Sequence, residues 1–517
     1  MTSSISTSAS PAGVSSVLSP ASTRTGVKGW ISLAVLMLPV LLVAVDNTVL
    51  SFAIPAISLA FATSGATQLW IIDSYPLVLA GLLVAMGSLG DRFGRRRLLI
   101  IGAWGFAAFS IAAAFAPSAG FLVGARVGLG IFGAMLMPST LSLIRNIFTD
   151  RDQRRLAIAV WAAGFSAGAA LGPLLGGALL EHFWWGSVFL LAVPVLVLML
   201  ILTPIFVPES RDPSPGRIDI LSIGLSVAAM LPVVYAIKDF AMEGPNPVAI
   251  SAVVVGLTAG VVFVRRQLRR PGPMLDVRLF TVRAFTGAVL VNLLAIFSLV
   301  GFLYFVSQHL QLILGYSPLE AGVILLPGLL MTIAAGFAVV PVVKRVPPHI
   351  VVPVSLGFSA AAYAFVAFTG ESAMALLFAF ILLGIGVGAS ETVSNDLILS
   401  TVPPAKAGAA SAVSETAYEV GSVFGTAVLG SILLASYQAH LSLPAGLSAG
   451  QVAEATETLG GAVNTAAQLP AANASALLES AFSAFDSGVI LTSGIGAVLM
   501  VLAAGLGWWS LRPTAAR

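Results

Sequence analysis

Fourteen largely apolar stretches of at least 20 residues follow one another along the chain. They lie near 29–52, 68–90, 98–117, 119–146, 156–180, 184–207, 217–239, 246–265, 283–312, 318–343, 349–370, 372–400, 406–436 and 486–511. A helix needs about 20 such residues to cross the ~30 Å hydrocarbon layer of a bilayer. The pattern therefore predicts an all-α polytopic membrane protein with fourteen transmembrane helices. Short polar segments separate most spans, and the long segment 437–485 is rich in Ala, Ser and Gly, with Glu454, Glu457 and Glu479 and no Lys or Arg. Short helices near 449–459 and 472–483 and the role of a passive cap are expected there. The first 25 or so residues are Ser, Thr, Ala and Pro without an apolar core, which reads as a mobile tail and not as a secretory signal.

Charge sets the orientation. Of 517 residues 58% are hydrophobic and only 9% charged, and basic residues are retained on the cytoplasmic side of a membrane. Arg92, Arg95, Arg96 and Arg97 follow the second span, and Arg145, Arg151, Arg154 and Arg155 follow the fourth. Arg265, Arg266, Arg269, Arg270, Arg278 and Arg283 sit between the eighth and ninth, and Lys344, Arg345, Lys406, Arg512 and Arg517 continue the alternation. Lys238 is the basic residue assigned to the outside, and Arg126 the one assigned to a span. An even number of spans then places both termini in the cytoplasm of a cell whose inner (cytoplasmic) membrane holds the protein. The net charge of +3 reflects this topology and requires no nucleic-acid partner. With no cysteine there are no disulfides, thiolate metal sites or thiol nucleophiles, and no metal site is expected.

The organisation is read as a cytoplasmic tail at 1–28, a six-helix half at 29–207, two inserted helices with linkers at 208–282, a second six-helix half at 283–511 that includes the outer loop 437–485, and a short tail at 512–517. Internal symmetry is weak, and the segment from Gly336 to Arg345 faintly repeats the one from Gly87 to Arg97.

The candidate chemistry is acidic. Asp46, Asp73, Glu415 and Glu419 lie inside apolar spans, where an ionisable residue is costly and marks function. Burial disfavours the charged form of a carboxyl and a nearby cation favours it, so proton and cation compete for one group, which is an exchange mechanism. Glu415 and Glu419 share a helix face, and Asp46 and Asp73 fall toward the outer half, as release-side proton acceptors. Glu391 and Asp396 rank lower, because a five-residue spacing sets them on different faces and Asp396 nears the cytoplasmic end. Aromatic faces for a lipophilic cation are sought first at Tyr418, between the two glutamates, then at Trp70, Tyr75, Trp161, Phe302, Tyr304 and Phe305.

Three motifs carry a family resemblance. Gly87, Asp91, Arg92, Gly94, Arg95 and Arg97 form the loop after the second span; Gly164, Gly168, Gly172 and Gly176, with Pro173 and Gly177, make a small-residue stripe on the fifth; Arg126 opens Arg126-Val-Gly-Leu-Gly130 on the fourth. Together they resemble the major facilitator superfamily. That resemblance implies a conformational latch at the loop, an exporter-type pivot at the stripe and support of proton coupling at Arg126. The segments Val45-Asp46-Asn47-Thr48, Trp70-Ile-Ile-Asp73-Ser-Tyr75, Gln308-His-Leu-Gln311 through Gly322, and Glu415-Thr-Ala-Tyr418-Glu419 further resemble the fourteen-span drug:proton antiporters, in particular quaternary-ammonium-compound efflux pumps. This implies a major facilitator fold, and cation recognition and protonation at Asp46, Asp73, Glu415 and Glu419. The expected protein is a multidrug efflux antiporter that works by alternating access, with lipophilic cations, protons and the bilayer as partners and no cofactor beyond the proton gradient; a monomer is compatible with this, and the sequence does not set the oligomeric state. A proton-coupled exporter or symporter of a lipid, metabolite or nutrient is the alternative. No catalytic constellation supports an enzyme, since His182, His309, His349 and His440 are scattered.

Overall fold

The computed structural model describes residues 25–211, 219–244, 246–271, 273, 275–369, 372–402 and 407–512. Residues 1–24 of the expected tail at 1–28, residues 212–218 of the linker, Lys406 and Arg517 lie outside these residues, as do the side chains of Asp91, Arg151 and Arg155.

Chain direction reverses at each span boundary, and the reversals use the polar residues between the apolar runs. α1 (Val27–Phe61) passes to α2 (Gly65–Phe93) through Ala62 in the left-handed region and Ser64, whose side chain accepts from the Thr67 N–H. α3 (Arg95–Ala114), α4 (Ala119–Ile147), α5 (Arg151–His182), the short α6 (Ser187–Leu190) and α7 (Ala192–Phe206) complete the first half. α8 (Ile220–Glu243) and α9 (Pro247–Arg269) form the inserted hairpin. The second half holds α10 (Arg283–Gln308), α11 (Pro318–Val343), α12 (Pro348–Thr369), α13 (Ala373–Ser400), α14 (Ala407–Phe424), α15 (Ser431–His440) and, after the outer helices α16 (Ala449–Glu457) and α17 (Leu459–Ala466), α18 (Ala471–Ser510).

Among the described residues thirteen helices are long and apolar enough to cross a membrane. α5, 32 residues long and packed against both α1 and α11, is the fourteenth rod of the bundle. α17 was not anticipated, and the expected separate helix at 472–483 is instead the start of α18, which runs unbroken for 40 residues because neither Gly nor Pro interrupts 471–487. The loop leans on both halves: Tyr437 donates to the Ala455 carbonyl at 2.8 Å, Glu457 accepts from the Gly65 N–H at 3.3 Å and Asn464 donates to the Leu59 carbonyl at 3.2 Å.

Helices approach where they lack side chains, as association in lipid requires. The stripe of the fifth span lies on α1. A Cβ on Gly168 would stand 2.8 Å from the Leu41 carbonyl oxygen and one on Gly176 2.4 Å from Val49. Gly177 and Pro173 turn the other way, onto Pro318, Leu319 and Gly322 of α11, so the same segment joins the halves. The second half has its own unpredicted contact of this kind, where a Cβ on Gly388 would sit 1.9 Å from the Thr332 carbonyl oxygen. Gly388→Ala should therefore destabilise the purified protein by about 1–3 kcal/mol. Gly357→Ala, which meets nothing within 4 Å, should leave thermal unfolding in detergent unchanged or slightly improved; equal effects would refute this packing account.

The loop after α2 docks by its backbone. Gly94, at φ +110°, closes α2, and a side chain there would collide with Glu209. Glu209 accepts from the Arg96 N–H at 3.0 Å, Arg95 donates its N–H to the Ser210 carbonyl at 2.9 Å, and Arg96 donates from its guanidinium to the Val207 carbonyl at 3.1 Å. Arg97 Nε stands 3.9 Å from Glu209, while Arg92 is exposed. Glu209, absent from the sequence reading, is thus the acid on which this loop closes.

At the same end of the bundle Asp219 caps α8 and ties it to α9. It pairs with Arg266 at 2.9 Å and Arg270 at 2.5 Å and accepts from the Ser222 N–H at 3.2 Å. Burial works against its charge, but the bonds from Arg266 and Ser222 and the Arg270 charge outweigh it and hold the carboxyl below the usual carboxylate range. The opposite end of the hairpin corrects an expectation. Lys238, assigned to the outside because it lies near the end of an apolar run, is buried in an ion pair with Asp73 at 2.9 Å.

Candidate functional site

A cavity of about 190 Å³ lies between the halves, toward the end that carries the Arg-rich loops. α2 and α4 contribute Leu79, Leu83, Met137, Leu141 and Arg145, α5 contributes Trp161 and Phe165, and the other wall comes from α10, α13 and α14. Three carboxylates reach it: Glu391 from α13, and Glu415 and Glu419 from successive turns of α14. α14 can present both because four residues advance a helix by little more than one turn. Tyr418 stands between them.

The aromatic side is continuous. Trp161 and Phe165 meet edge to face with centroids 5.0 Å apart, and Phe165 lies 6.5 Å from Tyr418, so rings from both halves face one space. Trp161 is held by donating from Nε1 to Thr140 Oγ1 at 3.0 Å. At the polar margin Asn292 donates to Ser414 Oγ at 3.0 Å, and Ser414 in turn donates to Asn395. Glu419 is the deeper acid, buried with its Oε2 lacking a hydrogen-bond partner and with Asn47 of α1 facing it. Glu391 has no ion-pair partner among the described residues. The arrangement, three acids beside an aromatic wall with Arg145 and a margin of Asn292, Asn395 and Ser414, can attract a cation and offer it ring faces.

The other two predicted acids are not in the cavity. Asp46 pairs with Arg126, Nη1 to Oδ2 at 2.6 Å, while Arg126 Nε and Nη2 donate to the Ile71 and Ile72 carbonyls at 3.0 and 3.3 Å. The Tyr75 ring lies 4.6 Å beneath the same guanidinium. Asp73 pairs with Lys238, whose Nζ is 4.0 Å from the Trp70 centroid. Tyr75 and Trp70 therefore serve resident cations. Phe302, Tyr304 and Phe305 are buried packing in the second half, Phe302 stacking on Phe380 at 5.6 Å. Asp396 is exposed, but Glu391, ranked beside it, faces the cavity. Its spacing from Asp396 was the wrong comparison, since the acids it joins are on another helix. Phe165 was missed because one Phe among 29 carries no mark in sequence.

Two helix-rich halves joined through small-residue contacts, with a chamber between them near one end, define a membrane transporter and not an enzyme. The chain belongs to the Major Facilitator Superfamily, whose model matches residues 36–426. It is 56% identical over 489 residues to the multidrug efflux pump LfrA of Mycolicibacterium smegmatis, covering 94% of this chain and 97% of that one. It is 38% identical to the methyl viologen resistance protein SmvA of Salmonella typhimurium, over 93% of this chain and 98% of that one. The tetracenomycin C resistance and export protein of Streptomyces glaucescens is 34% identical, over 96% and 93% of the two chains. In fold the chain resembles the crystal structure of a bacterial homolog of the human lysosomal transporter Spinster, with a TM-score of 0.61 at 19% identity, covering 95% of this chain and 99% of that one.

Proposed function

We propose that this transporter exports lipophilic cationic drugs, dyes and quaternary ammonium compounds across the cytoplasmic membrane in exchange for protons, with both termini in the cytoplasm. The observation that carries the reading is the cavity that brings Glu391, Glu415 and Glu419 together with Trp161, Phe165 and Tyr418. Its similarity to drug efflux and drug resistance proteins favours export. The basic loops at the cavity end support a cytoplasmic position for it, since basic residues are retained on that side, and on this reading a cation enters the chamber from the inside. A cation displaces protons from the acids; protons arriving from outside neutralise them and release it. The proton gradient alone drives the cycle, and no cofactor takes part.

The test is ethidium efflux from energised cells expressing the protein, with and without a protonophore. Each net charge moved across ~100 mV contributes about 2.3 kcal/mol, so in a cycle that moves one net charge, with more protons entering than dye charges leaving, collapsing the potential should cut the sustained dye gradient by roughly fiftyfold. Efflux that persists with the protonophore would exclude proton coupling. A well-expressed protein that exports neither ethidium nor tetraphenylphosphonium would exclude cationic drugs as its substrates.

A further inference from the structure

Among the described residues the inserted hairpin makes one ion pair with the interior of the bundle, and it occurs far from the Arg-rich loops. Lys238 of α8 reaches Asp73 of α2, the two side chains 2% and 0% exposed, and the Trp70 ring covers the ammonium. A small apolar cluster of Leu77, Val234, Val423 and Ala427 seals the contact. α8 does not depend on this charge to lie on α2, because more than three turns away Ser226 donates to the Gly81 carbonyl at 3.1 Å, and an apolar residue at 238 would pack without desolvation. A lysine kept inside a membrane protein at that cost marks function.

The pair also ends a polar track that begins in the cavity. Asn47 faces Glu419; its neighbour Asp46 holds Arg126; Arg126 holds the carbonyls of Ile71 and Ile72; the next residue is Asp73. Thr426 of the π-helical turn Gly425–Gly430, which links α14 to α15, faces Asp73 from the second half. The first half, the inserted hairpin and the second half thus converge at this carboxylate. π turns inside long helices recur at functional sites.

We propose that Lys238 is a positioning residue of the transport cycle: as a resident cation it neutralises Asp73 beneath the Trp70 ring and makes the inserted hairpin part of the coupling machinery. This inference rests on the export reading. Under it, drug cations are bound by the cavity acids, while Asp73 transmits the state of Glu419 through Arg126 to α8.

The test compares the full-length protein with Lys238→Met, Lys238→Arg, Asp73→Asn and the Asp73→Asn/Lys238→Met double variant. Ethidium efflux in proteoliposomes gives Vmax and KM, dye fluorescence on the purified protein gives Kd, and thermal unfolding gives Tm. Lys238→Met and Asp73→Asn should each lower Vmax about tenfold or more with Kd within about twofold of the parent, and Lys238→Arg should retain at least about half of Vmax. The double variant should recover Tm, since no charge is left alone, without recovering Vmax. Recovery of both would reduce the pair to a structural staple and overturn the proposal. Tighter ethidium binding by Lys238→Met would overturn it differently, by making Asp73 a drug subsite that the lysine merely blocks. If the parent binds ethidium and never exports it under a gradient, the export reading fails instead. The Tm cycle still decides the pair in that case: additive losses in the single variants and no recovery in the double would refute it.

Discussion

Replacing Arg126 with methionine should abolish export and lower the stability of the folded protein by about 3–5 kcal/mol, the cost of leaving one partner of a buried ion pair alone. Arg126 is 1% exposed, and four groups depend on it at once: the Asp46 carboxylate, the Ile71 and Ile72 carbonyls and the Tyr75 ring. The carbonyls matter because they belong to α2 while Asp46 belongs to α1, so one side chain on α4 fixes the relative position of three helices. Lysine should not substitute. It keeps the charge but cannot span a carboxylate and two carbonyls, since the planar guanidinium fork presents its donors in fixed directions and the ammonium does not. Arg126→Met/Asp46→Asn should regain most of the lost stability, with no uncompensated charge left, and should still fail to transport. Thermal unfolding in detergent with ethidium efflux measured beside it checks both parts. A double variant that exports like the parent would show that the pair serves folding alone.

The spans could be read from sequence because lipid leaves little freedom: a run that crosses must be apolar and about 20 residues long. The Gly164 to Gly176 stripe was equally legible, since close helix approach needs small residues at a fixed spacing, and α1 lies on it as that spacing demands. Arg126 announced that it must have a partner inside the membrane without saying which. Partners on other helices are where sequence falls short. Lys238 was assigned outside because its distance from a span end is one-dimensional information, whereas its burial depends on α2 lying beside α8. Asp46, Asp73, Glu415 and Glu419 looked equivalent as lone acids in apolar runs. Only the packing divides them into two that are already neutralised by Arg126 and Lys238 and two that reach the chamber, where Glu391 joins them. Glu209 shows the same limit, an acid in a short linker that acquires its role from the distant Gly94 turn.

Glu419→Gln should remove uphill export by about a hundredfold while leaving the transporter able to equilibrate dye across the membrane. Glu419 is the cavity acid nearest the Asp46–Arg126 pair, with Asn47 facing it and one carboxyl oxygen lacking any hydrogen-bond donor. A carboxyl in that position can be satisfied either by a proton or by an incoming cation, and exchange requires that it accept both in turn. Glutamine imitates the protonated form in shape and can never release a proton, so it keeps the chamber and breaks the exchange. The loss of a charged partner for the drug should itself weaken binding by about tenfold, or roughly 1.4 kcal/mol. Glu391→Gln should behave otherwise. Glu391 approaches the chamber from α13 and touches none of the Asp46–Arg126 track, so its removal should weaken dye binding by a similar factor while uphill export continues at high dye concentration. The two are separated by measuring dye-induced proton release from purified protein in weak buffer, together with counterflow in proteoliposomes that lack a gradient. Glu419→Gln should show counterflow without proton release, and Glu391→Gln should show both. If Glu419→Gln released protons as the parent does, the exchange site would have to be sought at another acid, and Glu415, one turn earlier on the same face of α14, would take its place.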